Sequence, residues 1–571
     1  MWCNTCNIET NNEKCPVCGE LTIEEIPTVV HWCANCRVPI IGSKAYEKHL
    51  CPICGENASY LASDIRPVFP EERLLVELLL EKEPNTYINS PVWVANNRYY
   101  IDGKATVLPN TLLRESNIQR TVDLLDKFSH QNSYEFFNRN ISLFIEANKT
   151  RLDTIVYEAH NFIRKAAELF QEENIVISFS GGKDSTVTAD LTTNALSNPY
   201  LVHIFGNTTL ELPQTLEYTK RYREDHPQAI FKVAENKEQN FLEVCDDIGP
   251  PARMMRWCCS MFKTGPISRV INNLYQNEQI LTFYGIRQSE SVSRSKYNRI
   301  EDDPEAVKIQ QQTVASPIFL WNDIEIWLYI LTREIDFNAA YRLGYDRVGC
   351  WCCPNNNDRA QFLNRIYLPE KSNRWRDYLI SFAHRIGKPD AETYIDSGKW
   401  KARQGGNGLA AADDVKIQYT NCTSEEHSKI YRLTKPMDDE FLNMLTPFGR
   451  VAPELGQKLL QEVLVVDLKS GMPIISVQPF YQDAYDYAVK VRTINVMDHE
   501  SLQKKVGYQV RKFNACRQCL RCESVCRAGA ISVSADYYYI DPDKCTHCEK
   551  CVTAKYLRGG CLMDKYLRTK A

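Results

Sequence analysis

Apolar positions follow two periods along this chain, and the middle of the sequence carries the clearest pattern. Ile175-Val176-Ile177-Ser178-Phe179 is an apolar run of strand length, after which Val187, Leu191 and Ala195 recur on one helical face. Residues 200–205 then predict a strand, 213–224 a helix, and 229–234 and 281–285 two more strands. Strands alternating with helices imply a parallel sheet with crossovers, whose site lies at the strand carboxyl ends. Elsewhere the pattern is local. Val92-Trp93-Val94 and residues 98–104 predict short strands with a hairpin turn. Residues 117–172 predict helices carrying Leu124, Leu125 and Phe128, then Ile155, Phe162, Ile163 and Ala166. Residues 463–468 and 473–477 predict strands joined at Ser470-Gly471, and 437–445 a helix.

The turn after the first central strand is Ser180-Gly181-Gly182-Lys183-Asp184-Ser185. A strand that passes through two glycines into a helix offers unpaired N–H groups and partial positive charge to an anion. Lys183 adds a point charge. The loop is not Walker A, because Ile177 stands at the first glycine position and Asp184 follows the lysine. Such a turn can also serve packing alone; the Lys-Asp-Ser ending selects the phosphate reading. Asn207-Thr208-Thr209 and Gly285-Ile286-Arg287 follow later strands, where ligand-contacting loops belong. Arg287, Arg294, Lys296 and Arg299 form a basic cluster that is either a solvated loop or an anion clamp.

Composition changes the picture through cysteine. The 571 residues are 44% hydrophobic and 25% charged, with formal net charge -4, which fits several globular domains and excludes a general attraction to polyanions. No apolar run approaches a membrane span and the N-terminus lacks signal-peptide features, so a cytoplasmic protein without a membrane partner is expected. Of 23 cysteines, eight lie in residues 3–54, five in 258–353 and eight in 516–561, which leaves Cys245 and Cys422 alone. In a reducing compartment such clustering predicts metal ligands. Cys3, Cys6, Cys15 and Cys18, then Cys33, Cys36, Cys51 and Cys54, have the paired Cys-x2-Cys knuckles of two four-cysteine Zn2+ ribbons. Whether these ribbons cap the fold or touch RNA stays open at this stage.

Several ordered motifs resemble the phosphoadenosine phosphosulfate (PAPS) reductase family of the PP-loop ATP pyrophosphatase superfamily. They are the 180–185 loop, Gly206-Asn207-Thr208, Arg256-Trp257-Cys258-Cys259, Gly285-Ile286-Arg287, Pro317-Ile318-Phe319-Leu320-Trp321, and residues 341–345 leading to Cys353-Pro354. The resemblance implies an α/β, parallel-sheet PP-loop core of the adenine nucleotide alpha hydrolase-like kind over residues 173–405. It implies that Ser180, Gly181, Gly182, Lys183, Asp184, Ser185, Asn207, Thr208, Gly285, Arg287 and Arg294 bind an adenine nucleotide, with Lys183, Asp184 and Arg287 taking part in the chemistry. Cys258, Cys259, Cys350 and Cys353 resemble the 4Fe-4S ligands of the family's iron–sulfur members, with Cys352 as an alternative to Cys353. The Glu-Cys-Gly-Leu-His nucleophile of sulfonucleotide reductases does not occur in the sequence. That departure favours ATP, with Mg2+ on the leaving pyrophosphate, over PAPS or adenylyl sulfate.

At 516–561 the cysteine runs resemble a two-cluster ferredoxin. One 4Fe-4S cluster would use Cys516, Cys519, Cys522 and Cys561, the other Cys526, Cys545, Cys548 and Cys551. Arg527 replaces the usual proline, and nine residues separate Cys551 from Cys561. The expected organisation is therefore two zinc ribbons (1–58), a small β-rich segment (59–115), a helical connector (116–172), the PP-loop domain (173–405), a small α+β domain (410–505) and a ferredoxin-type domain (506–571). Three activities fit. One is ATP-dependent adenylation of a nucleic-acid or small-molecule acceptor, tRNA or DNA among them, coupled to sulfur transfer and served by an electron or sulfur donor protein. The others are a sulfonucleotide reductase fed by the fused ferredoxin, and a non-catalytic nucleotide or redox sensor.

Overall fold

The computed structural model describes residues 28–44, 49–276, 278–291, 294–303, 309, 311–482, 485–534 and 537–569, with isolated positions between 2 and 19. The expected ribbon of Cys3, Cys6, Cys15 and Cys18 lies outside the residues whose side chains are described.

The centre is a six-stranded sheet. Its order is Ile230–Glu235, Val202–Asn207, Ile175–Phe179, Ile280–Tyr284, Gln312–Ala315, Ile300–Glu301. The first five strands run parallel, with Val176 opposite both Val202 and Thr282, and the short last strand is antiparallel. Ile175, Val176, Ile177 and Phe179 are all buried, because helices cover both faces. The strand Gln312–Ala315 escaped sequence reading, since Gln312 and Thr313 interrupt any apolar run.

The stretch expected as a small β-rich segment is built into this core. Its strands Arg66–Pro67, Val92–Ala95, Arg98–Ile101 and Lys104–Val107 form one antiparallel sheet. Arg66 joins Glu72 at 2.6 Å and Asp346 at 2.8 Å, Tyr99 donates to Glu72 at 3.0 Å, and Arg359 closes on the same carboxylate. Every charge in this buried network is paired, so it fixes residues 64–107 against the α/β unit. The helix Glu135–Ala167 packs its Phe144, Ile155, Ala159 and Ile163 face on the same core.

Residues 419–493 form a larger antiparallel sheet than the two strands expected, with order Tyr419–Asn421, Ser428–Leu433, Tyr485–Thr493, Pro473–Gln482, Val463–Val466, Arg450–Ala452. The division expected at 505 falls inside the helix His499–Ala515, which leads directly into Cys516. One apolar core joins residues of the α/β unit, this sheet, this helix and the C-terminal cysteine segment. No helix among the described residues is long and apolar enough to cross a membrane.

Candidate functional site

The strand Ile175–Phe179 ends at Ser180, Gly181 takes φ +70°, and the helix Lys183–Leu196 begins on Gly182. A Cβ on Gly181 would stand 2.8 Å from Thr215 Cγ2 in a left-handed backbone, so glycine is needed twice over. Asn338 holds the turn by donating to the Gly181 carbonyl at 3.0 Å, and Ser185 Oγ accepts from Ser180 N–H at 3.1 Å. The Tyr341 hydroxyl accepts the Lys183 N–H at 3.0 Å. Gly285 lies against the back of the loop, where a Cβ would stand 2.6 Å from the Asp184 carbonyl. Its role is close backbone packing at the end of the neighbouring strand.

Four charges converge beside the loop. Lys183 Nζ lies 3.2 Å from Asp184 and 3.0 Å from Asp323, and Arg287 lies 2.5 Å from Asp184 and 2.7 Å from Asp323. Lys183 and Arg287 are 2% and 5% exposed. Burial works against the Lys183 ammonium, but Asp184 and Asp323 together hold its pKa above the usual value. Burial likewise works against the Asp184 carboxylate, and Arg287 and Lys183 overcome it, holding its pKa well below the carboxylate range. Arg294 turns instead to Glu290, with Arg347 3.9 Å from that same carboxylate.

Two carboxylates of this group were not legible in the sequence. Asp323 opens the helix Asp323–Thr332, and Asp64 comes from far outside the α/β unit to accept the Asp323 and Ile324 N–H groups at 2.8 and 3.1 Å. Burial first, and then Asp323, push the Asp64 carboxyl up to about 7, against the pull of Arg287. Between pH 4 and 7 the folded chain therefore keeps a proton that the unfolded chain has lost, and stability falls as pH rises through that window. The slope for one proton is about 1.4 kcal/mol per pH unit. Asp64→Asn is expected to flatten this part of the thermal-midpoint profile, and an unchanged slope would show that Asp64 stays ionised.

Asn207 donates to Glu235 at 2.5 Å and accepts from Thr209 N–H at 3.0 Å. Thr208 donates to Glu211 at 2.7 Å, and its hydroxyl lies 3.3 Å from Cys350 Sγ. Thr208 thus joins the central thiols. Trp351 N–H donates to Leu210 O at 2.9 Å, which brings the 350–353 turn onto the carboxyl end of the strand Val202–Asn207. From the other side come Cys258 and Cys259, directly before a π-helical turn at Ser260–Thr264.

Arg256 reaches Cys259 Sγ at 3.5 Å. The Cys258 contact, then Arg256 and Lys263, hold the Cys259 thiol well below its usual pKa despite burial. Burial raises Cys353, which faces Cys259 and Arg256. Cys352 is buried in the apolar core near Cys245. Cys352 acts on Cys258, and Cys259 acts on Cys353, so both candidates adjoin the Cys258-Cys259 pair.

Cys33, Cys36, Cys51 and Cys54 have all four sulfurs within 4.8 Å of one another. Cys33 lies 3.5 Å from Cys54 and Cys36 3.7 Å from Cys51. A tetrahedral Zn–S bond of 2.3 Å sets sulfurs roughly 3.8 Å apart, so this donor set fits a zinc ion. No other group of three or more such ligands is as tight among the described residues.

At the C-terminal end, burial, then Cys561 and Cys522, push Cys516 up to about 12. Cys519 is raised by burial and then by Cys561, Cys522 and Cys516. Cys526 is raised by burial and affected by Cys548 and Cys545, and Cys551 by Cys522, Cys526 and Cys545. Gly559 and Gly560, both at positive φ, precede Cys561, whose thiol acts on Cys516 and Cys519. Lys512 stands among these sulfurs with 1% exposure and donates to Cys551 O at 2.8 Å. It has no carboxylate partner among the described residues; burial works against its ammonium, and Cys522, Cys551, Cys561 and Cys516 act to raise it.

Residues 174–356 match the phosphoadenosine phosphosulfate reductase domain. An uncharacterized protein of Methanocaldococcus jannaschii is 31% identical over 270 residues, covering 47% of this chain and 54% of that protein. An adenosine 5'-phosphosulfate reductase of Staphylococcus epidermidis is 25% identical over 210 residues, 35% of this chain and 81% of that enzyme. The solved phosphoadenylyl-sulfate reductase of Candida auris, in a phosphate complex, aligns at 18% identity over 36% of this chain and 96% of its own, with a TM-score of 0.28. The chain spans 54% and 60% of the two Methanocaldococcus relatives it matches. The central α/β unit is thus similar to a phosphoadenosine phosphosulfate reductase domain over residues 174–356.

Proposed function

We propose that this protein is an iron–sulfur enzyme that adenylates an acceptor with ATP and passes sulfur to the activated position. The charge balance at the loop carries this reading. Lys183 and Arg287 are already matched by Asp184 and Asp323, so an arriving polyphosphate meets little net positive charge. A divalent cation on the two carboxylates restores the attraction, and Asp184 and Asp323 are the residues that would hold Mg2+. Mg2+ would supply charge neutralisation of the leaving pyrophosphate. The 180–185 turn and the first N–H groups of its helix orient the phosphates, and Lys183 and Arg287 stabilise the charge that grows there.

Cys258, Cys259, Cys350 and Cys353 would hold one 4Fe-4S cluster, and the two C-terminal sets one each. The acceptor is a tRNA, a DNA or a small molecule. Pyrophosphate release from ATP that depends on added tRNA or DNA supports this reading. Sulfite release from PAPS or adenylyl sulfate without ATP cleavage would overturn it.

That second outcome defines the alternative, a sulfonucleotide reductase. It is favoured by the apolar core shared between the central and C-terminal cysteines, which would let the C-terminal set feed electrons toward the nucleotide loop. The Staphylococcus relative bears such a reductase name.

Cys33, Cys36, Cys51 and Cys54 would hold Zn2+, as Cys3, Cys6, Cys15 and Cys18 would by the same spacing. Cys36→Ser is expected to lower bound zinc by about one ion per chain and leave iron unchanged. Elemental analysis checks this, and a parallel loss of iron would contradict the assignment.

A further inference from the structure

The four-cysteine unit of Cys33, Cys36, Cys51 and Cys54 reaches the nucleotide site by the end away from its sulfurs. Its strands Thr28–Cys33 and Asn57–Ala62 pair antiparallel, with Trp32 opposite Ser59 and Val30 opposite Ala62. Cys33 and Cys54 therefore stand at one end of this pair, and Thr28 and Asp64 at the other. The unit is also fixed from the side. Asn148, 2% exposed, accepts from Ile41 N–H at 2.7 Å and donates to the Pro39 carbonyl at 3.0 Å. These bonds tie the strand Val38–Ser43 to the helix Glu135–Ala167.

Thr28 and Asp64 both meet the start of the helix Asp323–Thr332, whose first N–H groups have no partner within the helix. Asp64 Oδ2 accepts from Asp323 N–H at 2.8 Å, and Asp64 Oδ1 accepts from Ile324 N–H at 3.1 Å. Asp64 is itself held by Ile65 N–H, which donates to Oδ1 at 2.9 Å. Asn322 and Glu325 form a reciprocal capping box, and Asn322 donates to Thr28 Oγ1 at 2.9 Å. Arg151 of the helix Glu135–Ala167 closes on Glu325 at 2.7 Å. The first turn so fixed carries the bridging carboxylate of the site. Asp323 Oδ1 alone meets both Lys183 Nζ, at 3.0 Å, and Arg287 Nη2, at 2.7 Å. A shift of this turn moves that oxygen away from at least one of the two cations.

We propose that Asp64 and Thr28 are positioning residues of the nucleotide site. They lock the first turn of the helix Asp323–Thr332, so that Asp323 stands between Lys183 and Arg287. The four-cysteine unit thereby becomes a support of the nucleotide loop, joined to it through a carboxylate that caps a helix of another part of the chain. Its consequence for ATP rests on the adenylation reading, in which Asp323 helps to hold the cation on the phosphates. The coupling of Asp64 to Lys183 through Asp323 is independent of that reading.

The test uses the full-length protein and two measurements. Without nucleotide, thermal midpoints are compared for Asp64→Ala, Lys183→Met and the double variant. Asp64 forms no ion pair with Lys183, whose carboxylate partners are Asp184 and Asp323. A cap that holds only its own helix gives shifts that add. Positioning through Asp323 makes the double variant's shift smaller than the sum, because Lys183 has already lost part of its pairing. The second measurement is equilibrium binding of ATP with Mg2+, and of AMP. Asp64→Ala is expected to raise the dissociation constant for ATP roughly tenfold to a hundredfold, the scale of a misplaced positioning group. AMP, which lacks the outer phosphates, is expected to bind as before. Asp64→Asn keeps an acceptor for Ile324 N–H but turns its amide on Asp323 N–H, so its loss of ATP affinity falls between. Additive midpoints, or equal losses for ATP and AMP, would overturn the positioning role. If the parent protein binds no ATP, the adenylation reading fails and the midpoints alone decide the coupling. If Asp64→Ala does not fold, Asp64→Asn takes its place in both measurements.

Discussion

Lys183→Ala is expected to lower nucleotide turnover by roughly a hundredfold to a thousandfold, the usual effect of removing one preorganised group that stabilises developing charge. Iron–sulfur absorbance is expected to stay, because Lys183 has no thiol among its partners. The variant carries a second effect that must be separated from the first. Lys183 is buried between Asp184 and Asp323, and breaking a buried pair costs about 3–5 kcal/mol through the charge left behind. Lys183→Met combined with Asp323→Asn removes the cation and one matching carboxylate together. The double variant is expected to recover most of the lost thermal stability while turnover stays low. Recovery of turnover along with stability would show that the loop is structural and that phosphate binding lies elsewhere.

The same residues show how far sequence reaches. Strand Ile175–Phe179 and the glycine turn were legible because a strand, two glycines and a helix leave a local signature in six residues. Arg287 was marked by its place after a strand, and Tyr341 only by the 341–345 motif of the family resemblance. Asp64 and Asp323 left no mark as site residues, because Asp323 is one of three polar residues inside the apolar run Ile318–Leu331 and Asp64 stands between Ser63 and Ile65 with nothing to show its partners. Their meaning arises only when Asp64 crosses to the Asp323 and Ile324 N–H groups. Thr208 was placed by its strand-end position, yet its partners Glu211 and Cys350 come from tertiary pairing. The 419–493 sheet was underestimated for a related reason. Strands such as Ser428–Leu433 and Tyr485–Thr493 carry lysines, arginines and tyrosines on the outer face, which dilutes any apolar run.

Lys512→Met is expected to lower the midpoint potentials of both C-terminal sites, by on the order of 100 mV for the Cys516 set. A unit charge about 6 Å from the electron, at an effective dielectric of about 20, contributes roughly 3 kcal/mol, or about 120 mV for one electron. The sign follows from the charge. A buried ammonium favours the more negative, reduced state, so its removal makes reduction harder. The Cys516 set is expected to move further, because Cys522, Cys561 and Cys516 all act on Lys512 while Cys551 alone represents the other set. A redox titration of the holoprotein reads both values, and the central site serves as the internal reference that stays in place. Methionine matches the length of the lysine stem and fills the same apolar space beside Tyr538, whose ring lies 5.4 Å from the ammonium. Stability supplies an independent arm. If the surrounding cysteines were neutral thiols, Lys512 would be a stranded buried charge and Lys512→Met would raise the thermal midpoint. If they are thiolates holding iron, the variant instead removes their counter-charge, and the midpoint and iron retention both fall. A rise in stability with unchanged potentials would sink the assignment of metal to this end of the chain.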